Sequence, residues 1–323
     1  MEDLKLVATA REIPAKVVTN DDLSRIMETS DEWIKSRTGI EQRHLSETQN
    51  TSDLAISVGR KLLAQSGWSA ASLDLIVVAT MSPDAYTPAT AATVQGALGA
   101  TNAVAFDLSA ACSGFVYAWQ VVNAMAKGSQ LKRIMVIGSE VLSKLIDWTD
   151  RRTAVLFGDG AAGVLLEKQS TTAPFMLGQH WATFGGAVEQ LNAGLTAPQP
   201  MGGPVTSIKP FAMDGRAVYK FATHEVPTSI TAAAMEAGIT VDQIDHFLLH
   251  QANARIIKQV AKRLDQPMDK FPININRYGN TSAASEPILL DELVQAGELQ
   301  PGEIVALSGF GGGLTVGTII IKL

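Results

Sequence analysis

The run Gly67-Trp-Ser-Ala-Ala-Ser-Leu73-Asp74-Leu75-Ile-Val-Val-Ala79-Thr80 reads as a helix end, a short turn and a strand. Leu75 to Thr80 does not alternate apolar with polar residues, so the strand is buried on both faces. The run Gly238-Ile-Thr-Val-Asp-Gln-Ile244-Asp245-His-Phe-Leu-Leu-His250 repeats this plan 171 positions later, and Gly138 falls on Gly309 at the same offset. Several landmarks at one ungapped offset point to internal duplication, with a first copy over 1–170 and a second over 171–323. Outward from these runs, Ile134–Gly138, Phe247–His250, Ile304–Leu307 and Gly317–Ile321 read as further buried strands. Thr51–Ser66 and Asn253–Leu264 read as helices, and the alternation of the two types predicts α/β layers. Phe184–Met213, rich in Gly, Pro and Thr, lacks a period and reads as an insertion over a surface or a cleft.

Composition narrows the function classes. The chain has 323 residues, 46% of them hydrophobic, a net charge of −6 and one cysteine. That suffices for a deep core and excludes disorder. The negative field disfavours a nucleic-acid partner. A single cysteine excludes a disulfide framework and cysteine-rich zinc sites, and fits a reducing cytoplasm. The charged start, Met1 to Lys5, predicts no secretory signal. Ala103–Ala126 has the length of a membrane span, but it carries Asp107, Gln120 and Asn123. A buried strand followed by a buried helix is the better reading, which makes the protein soluble.

The 171-residue register also distributes chemistry. Cys112 falls on Ala283 and His250 falls on Ala79, so each copy brings different reactive side chains to a single site between the copies. Asp107-Leu-Ser-Ala-Ala-Cys112-Ser-Gly114 places Cys112 among small residues at a strand-to-helix turn. A helix N-terminus there predicts a stabilised thiolate; the alternative is an inert, buried cysteine. His250-Gln-Ala-Asn253 follows a buried strand and opens a helix, where α/β folds place site residues. The other histidines, His44, His180, His224 and His246, lack that setting. Tyr278-Gly-Asn280-Thr-Ser-Ala-Ala-Ser285 occupies the turn equivalent to that of Cys112. Gly309-Phe-Gly-Gly-Gly313 permits close backbone approach and a donor to an oxyanion, and it leads into a strand, unlike a dinucleotide loop.

Taken together, these motifs resemble those of the β-ketoacyl-acyl-carrier-protein synthase III family, initiating condensing enzymes of the thiolase superfamily. Thr29-Ser-Asp-Glu-Trp33-Ile34, Arg37-Thr-Gly-Ile40 and Phe157-Gly-Asp-Gly-Ala161 extend the resemblance along the chain. It implies a thiolase-like duplicated five-layered αβαβα fold, a homodimer, and no cofactor or metal. It implies that Cys112 takes an acyl group from acyl-CoA, and that His250 and Asn280 hydrogen-bond the carbonyl of malonyl-acyl-carrier protein. The amides of Cys112 and Gly312 match an oxyanion hole. Trp33 and Arg151 match an adenine sandwich, Arg37 lies in the segment facing the CoA phosphates, Asn253 lies near the pantetheine, and Phe310 packs beside the His–Asn pair. Two hydrolytic or condensing alternatives share the Cys-His-Asn set: polyketide-synthase-like enzymes and papain-like hydrolases.

Arg255, Lys258, Lys262 and Arg263 fall on one face of the 253–264 helix. The resemblance makes this face, with Lys220, a dock for an acidic carrier protein. Thr87 stands where the family closes the acyl pocket of the partner subunit with a larger side chain, which implies room for longer or branched primers. Glu286 stands where the family has an apolar residue. It is favourable if it caps the helix N-terminus and costly if buried unpaired.

Overall fold

A computed structural model describes residues 2–198, 201, 203 and 208–323. The strands are β1 (Glu2–Glu12), β2 (Lys16–Thr19), β3 (Gln42–Leu45), β4 (Leu75–Ala79), β5 (Val104–Leu108), β6 (Arg133–Glu140) and β7 (Gly160–Ser170), followed by β8 (Met176–Thr183), β9 (Leu191–Asn192), β10 (Ala212–Met213), β11 (His246–Leu249), β12 (Ile304–Gly311) and β13 (Thr315–Lys322). One sheet has the order β1-β7-β6-β4-β5 and another β11-β12-β13-β8. In both, the parallel pair (β4 with β6, β11 with β12) is extended by antiparallel neighbours. The 171-residue offset carries Arg133–Glu140 onto Ile304–Gly311 residue for residue.

Helices fill three layers around the two sheets, giving αβαβα. Thr51–Ser66 and Thr90–Leu98 cover the outer face of the first sheet; Gly215–Glu236 and Ala254–Arg263 cover that of the second. Gly114–Ala126 and Ser285–Ala296 lie between the sheets and touch both. The middle layer buries Phe115, Trp119, Leu248 and Leu289 in one core, which explains why no residue of Gly114–Ala126 is exposed before its last turn. The helix Thr51–Ser66 ends where its sequence signals say it should, between an Asn50 cap and Gly67 at φ 68°.

Ala103–Ala126 resolves into β5 and the helix Gly114–Ala126; the helix is largely buried as expected, but β5 is a partly exposed edge strand rather than a buried one, because no described residue of this chain pairs with its outer side. Among the described residues no helix is long and apolar enough to cross a membrane. The copies diverge in several places: Leu142–Leu145 and Arg151–Ala154 separate β6 from β7, whereas only residues 312–314 separate β12 from β13. The position equivalent to the edge strand β5 holds the short helix Ile275–Tyr278 instead. Phe184–Met213 contains a 3-10 turn and the small β9–β10 pair; residues 199, 200, 202 and 204–207 within it lie outside the described residues.

Candidate active site

Two 3-10 turns, Ala111–Ser113 and Ser282–Ala284, meet across the middle of the molecule. Each opens with a non-glycine residue in the left-handed region, Ala111 at φ 46° and Ser282 at φ 49°. Such strain, of order 1–3 kcal/mol, persists only where the surroundings enforce it. Each turn is seated on a glycine of the other copy's strand. A Cβ on Gly138 would stand 2.1 Å from the Ala283 carbonyl oxygen, and one on Gly309 would stand 2.9 Å from Ser113 Cα and 3.0 Å from the Cys112 oxygen. These glycines let the copies approach closely enough for their side chains to share a cavity.

That cavity, about 740 Å³, is bordered by Cys112, His250, Asn280, Phe310 and Gly312 together. His250 is held from three sides. Its backbone N–H donates to the Ser308 carbonyl at 2.9 Å, Nδ1 lies 2.6 Å from Ser285 Oγ, and the Phe310 ring meets the imidazole edge-on at 5.0 Å. With Nδ1 engaged, Nε2 is the ring nitrogen left for the cavity. Burial holds the His250 pKa down to about 3, so the ring is neutral. Asn280 is pinned through its backbone, donating to the Leu156 carbonyl at 2.9 Å and accepting from Gly158 N–H at 3.0 Å. Its Oδ1 accepts from Ser282 N–H at 2.9 Å, which fixes the amide and leaves its NH2 end as the free donor.

The cysteine departs from its expected state. Burial pushes the thiol up to about 12, the Ser282 hydroxyl pulls it back, and the carboxyls of Glu140 and Glu286 push it further. The expected thiolate is therefore a neutral thiol in the unliganded protein. The helix dipole loses because Cys112 sits in the 3-10 turn ahead of Gly114, dry and beside two acids. Gly311 packs hardest on it: a Cβ there would lie 2.8 Å from Cys112 N and 3.2 Å from Sγ. Gly312, the glycine to which the family resemblance points, lies against Leu191 and Ala111 instead.

Several supporting residues carried no recognisable sequence signal. Glu140, buried in β6, accepts hydrogen bonds from Thr80 Oγ1 at 3.1 Å, from the Met81 and Ser82 amides, and from Ser82 Oγ. Burial still lifts it to about 7. Ser285 links His250 to Glu286, whose Oε2 lies 2.9 Å from Ser285 Oγ and whose Oε1 has no partner. Glu286 is thus the buried acid of the two possibilities its position left open.

Of the remaining candidates, only Asn253 borders the cavity. Arg37 and Arg151 stand over the Trp33 ring at 5.2 and 5.5 Å, and Arg151 also donates to the Glu28 carbonyl at 2.8 Å. Trp33, Arg37 and Arg151 are not among the residues bordering the cavity; Asn253 is, and so is the exposed Arg152, which the sequence did not suggest. Asn253 caps the helix Ala254–Arg263, its Oδ1 accepting from Arg255 N–H at 2.8 Å and its Nδ2 donating to the Arg37 carbonyl at 3.1 Å. On that helix Ile256, Ile257 and Val260 are buried, whereas Arg255, Lys258, Lys262 and Arg263 are exposed, as is Lys220 on the neighbouring helix. Arg255 already spends its guanidinium on the Ser36 carbonyl, at 2.7 and 3.1 Å. Thr87 sits in an exposed loop and does not border the cavity of its own chain.

Comparison with known proteins agrees along the whole chain. Residues 106–185 match the family model described as 3-Oxoacyl-[acyl-carrier-protein (ACP)] synthase III, and residues 234–323 match its C-terminal counterpart. The Beta-ketoacyl-[acyl-carrier-protein] synthase III of Limosilactobacillus reuteri is 59% identical over 100% of both chains. The crystal structure of 3-oxoacyl-[acyl-carrier-protein] synthase III from Aquifex aeolicus superposes with a TM-score of 0.92 at 36% identity, covering 99% of this chain and 100% of that one. The priming β-ketosynthase of the R1128 polyketide pathway also reaches 0.92, at 30% identity over 99% and 96% of the two chains. With that coverage and identity, the chain belongs to the β-ketoacyl-acyl-carrier-protein synthase III family of condensing acyltransferases.

Proposed function

We propose that the protein initiates fatty acid synthesis by condensing an acyl-CoA primer with malonyl-acyl-carrier protein, through an acyl-Cys112 intermediate. The observation that carries this reading is the convergence of Cys112, His250 and Asn280 on one cavity, in a chain of this family. In the first step Cys112 Sγ bonds the acyl carbon, the carbon–sulfur bond to CoA breaks, and the thiol proton leaves with the CoA sulfur. The backbone amides of Cys112 and Gly312 serve the tetrahedral oxyanion. In the second step the malonyl carboxylate departs as CO2. The resulting enolate attacks the acyl-Cys carbonyl and expels the cysteine sulfur, which is reprotonated. His250 and Asn280 face the enolate oxygen as two uncharged donors, a role suited to a neutral imidazole and an oriented amide.

The remaining candidates support the rest. Trp33 with Arg151 suits the adenine, Arg37 the phosphates, and Asn253 the pantetheine. The exposed cations Lys258, Lys262, Arg263 and Lys220 suit an acidic carrier protein; Arg255 belongs to the same face while bracing it. A division into a Cys-bearing half, 1–170, and a His–Asn half, 171–323, is supported by each large sheet being drawn from one side of that boundary. A homodimer is supported by β5, an edge strand with Val104 60% exposed, whose unpaired side suits a second copy. Thr87, in the loop between β4 and the helix Thr90–Leu98, would then reach the partner's acyl pocket beside Phe310. A cytoplasmic location fits the single reduced cysteine.

The test has two stages. Labelled acyl-CoAs are offered first, and peptide mass spectrometry locates the label; malonyl-acyl-carrier protein is then added. Label on Cys112 followed by a β-ketoacyl product is the expected result. Label elsewhere, or release of free acid without condensation, would favour a hydrolase. Preference for a primer that leads to polyketides would move the protein towards the priming ketosynthase it resembles at 30% identity.

A further inference from the structure

We propose that Glu286 is a positioning residue for condensation: as a neutral acid it donates to Ser285 Oγ, which directs the Ser285 hydroxyl proton onto His250 Nδ1 and leaves the imidazole N–H at Nε2 for the cavity. This rests on the reading of His250 as a donor to the enolate oxygen. The geometry is a proton-counting problem. Ser285 Oγ has one proton and three neighbours able to accept it: His250 Nδ1 at 2.6 Å, the Ser282 carbonyl at 2.9 Å and Glu286 Oε2 at 2.9 Å.

Were Glu286 ionised, its carboxylate would be the strongest of those acceptors and would take the serine proton. His250 would then carry its own proton on Nδ1 to bond Ser285, and Nε2 would turn a lone pair towards an oxygen that is gaining negative charge. A neutral Glu286 reverses the bond. It occupies one lone pair of Ser285 Oγ as a donor, and the serine proton goes to its shortest neighbour, Nδ1.

Three observations favour the neutral acid. Glu286 is fully buried, and burial raises its pKa well above the usual carboxylate value. Its Oε1 has no hydrogen-bond partner, which costs much less for the carbonyl oxygen of an acid than for an ionised carboxylate. The fold does not require an acid here, because the equivalent position of the first copy holds Phe115. Room for Oε1 comes from Gly309, where a Cβ would intrude to 2.5 Å. Cys112 and, beyond Ser282, Glu140 are the other titratable groups facing this cluster; Glu286 is one of the carboxyls that raise the Cys112 pKa, so its substitution also eases that thiol, and the tautomer is therefore read directly beside the ratio.

The experiment reads the His250 tautomer by 15N NMR in substrate-free protein, assigning its signal among five histidines by loss in His250→Ala. It then measures the ratio of condensation to Cys112 loading. Wild type should show the Nε2–H tautomer. Glu286→Leu should lose that bias and lower the ratio about ten- to a hundredfold, since a misplaced imidazole proton costs up to about 10⁴ in rate. Glu286→Gln, whose amide N–H can donate to Ser285, should keep the tautomer and most of the ratio. Raising the pH in wild type should convert the tautomer as Glu286 ionises, and should not do so in Glu286→Gln. An unchanged tautomer in Glu286→Leu, or a glutamine variant as impaired as the leucine one, would overturn the proposal. If the leucine variant does not fold, the wild-type and glutamine titrations decide by themselves. A tautomer that shifts as expected in a protein making no β-ketoacyl product would leave this proposal standing and remove the condensation reading.

Discussion

The turn Ala111–Ser113 and the turn Ser282–Ala284 are built to one backbone plan and carry different chemistry. Both are 3-10 turns with a left-handed first residue, both precede a central helix, and both rest on a glycine of the opposite copy. One presents a thiol. The other holds Asn280 by its Oδ1 and buttresses His250 through Ser285. Glu140 in β6 answers to Gly311 in β12, so the first copy keeps a buried acid where the second lets its backbone approach Cys112. The lesson is that the shared backbone fixes where the side chains converge, and the unshared side chains decide what the convergence can do.

The sharpest way to break this comparison is to disarm one turn at a time. Asn280→Ala or His250→Ala should each lower condensation about 10²- to 10³-fold while acyl-Cys112 remains detectable by mass, because each removes one preorganised donor. Loss of loading to the same extent would show that the two turns do not divide the labour.

The next test removes the seat of each turn. Gly138→Ala should cost more stability than Gly309→Ala in matched thermal melts, both in the range of about 1–3 kcal/mol or above. The Gly138 Cβ meets a backbone oxygen at 2.1 Å, whereas the nearest atom to a Gly309 Cβ is a glutamate side-chain oxygen. Equal losses would mean that Glu286, with the Ser113 and Cys112 backbone 2.9 and 3.0 Å from the same Cβ, yields as little as the Ala283 carbonyl.

A smaller effect follows from Glu140. Burial raises its pKa from the ordinary carboxylate value of 4.5 to about 7 in the folded protein, so between those values the native state binds the extra proton. Stability should therefore fall as pH rises from about 4.5 through 7. Glu140→Gln should flatten that slope in denaturant titrations across the window. The smallest expected effect is at the exposed cations, where Lys262→Glu should raise the carrier-protein KM a few-fold, since exposed charges contribute about 1 kcal/mol or less. An unchanged KM, with Lys258 and Arg263 also reversed, would move the docking face elsewhere.

Much of this was legible in the chain. The helix Thr51–Ser66 is legible at its C-terminal end because the glycine that stops it, Gly67, is a local device. The strands around Leu75, Ile134 and Ile304 stood out because burial on both faces removes alternation. Cys112, His250 and Asn280 were found through turn chemistry and family resemblance, and the structure brings them to one cavity. The ionisation of Cys112 was misread, because a helix terminus is visible in sequence whereas desolvation by distant segments is not. Arg152, Gly311 and the Ser285–Glu286 link were out of reach for the same reason.

Local signals in this sequence determined the layers, the repeat and the reactive residue types, since caps, periodicity and glycines act over a few neighbours. Only the tertiary structure decided which protonation states those residues hold and which backbone groups face them. Dielectric and close approach arise from chain segments far apart in sequence, such as Gly309 against Ser113 and Glu286, or Gly138 against Ala283.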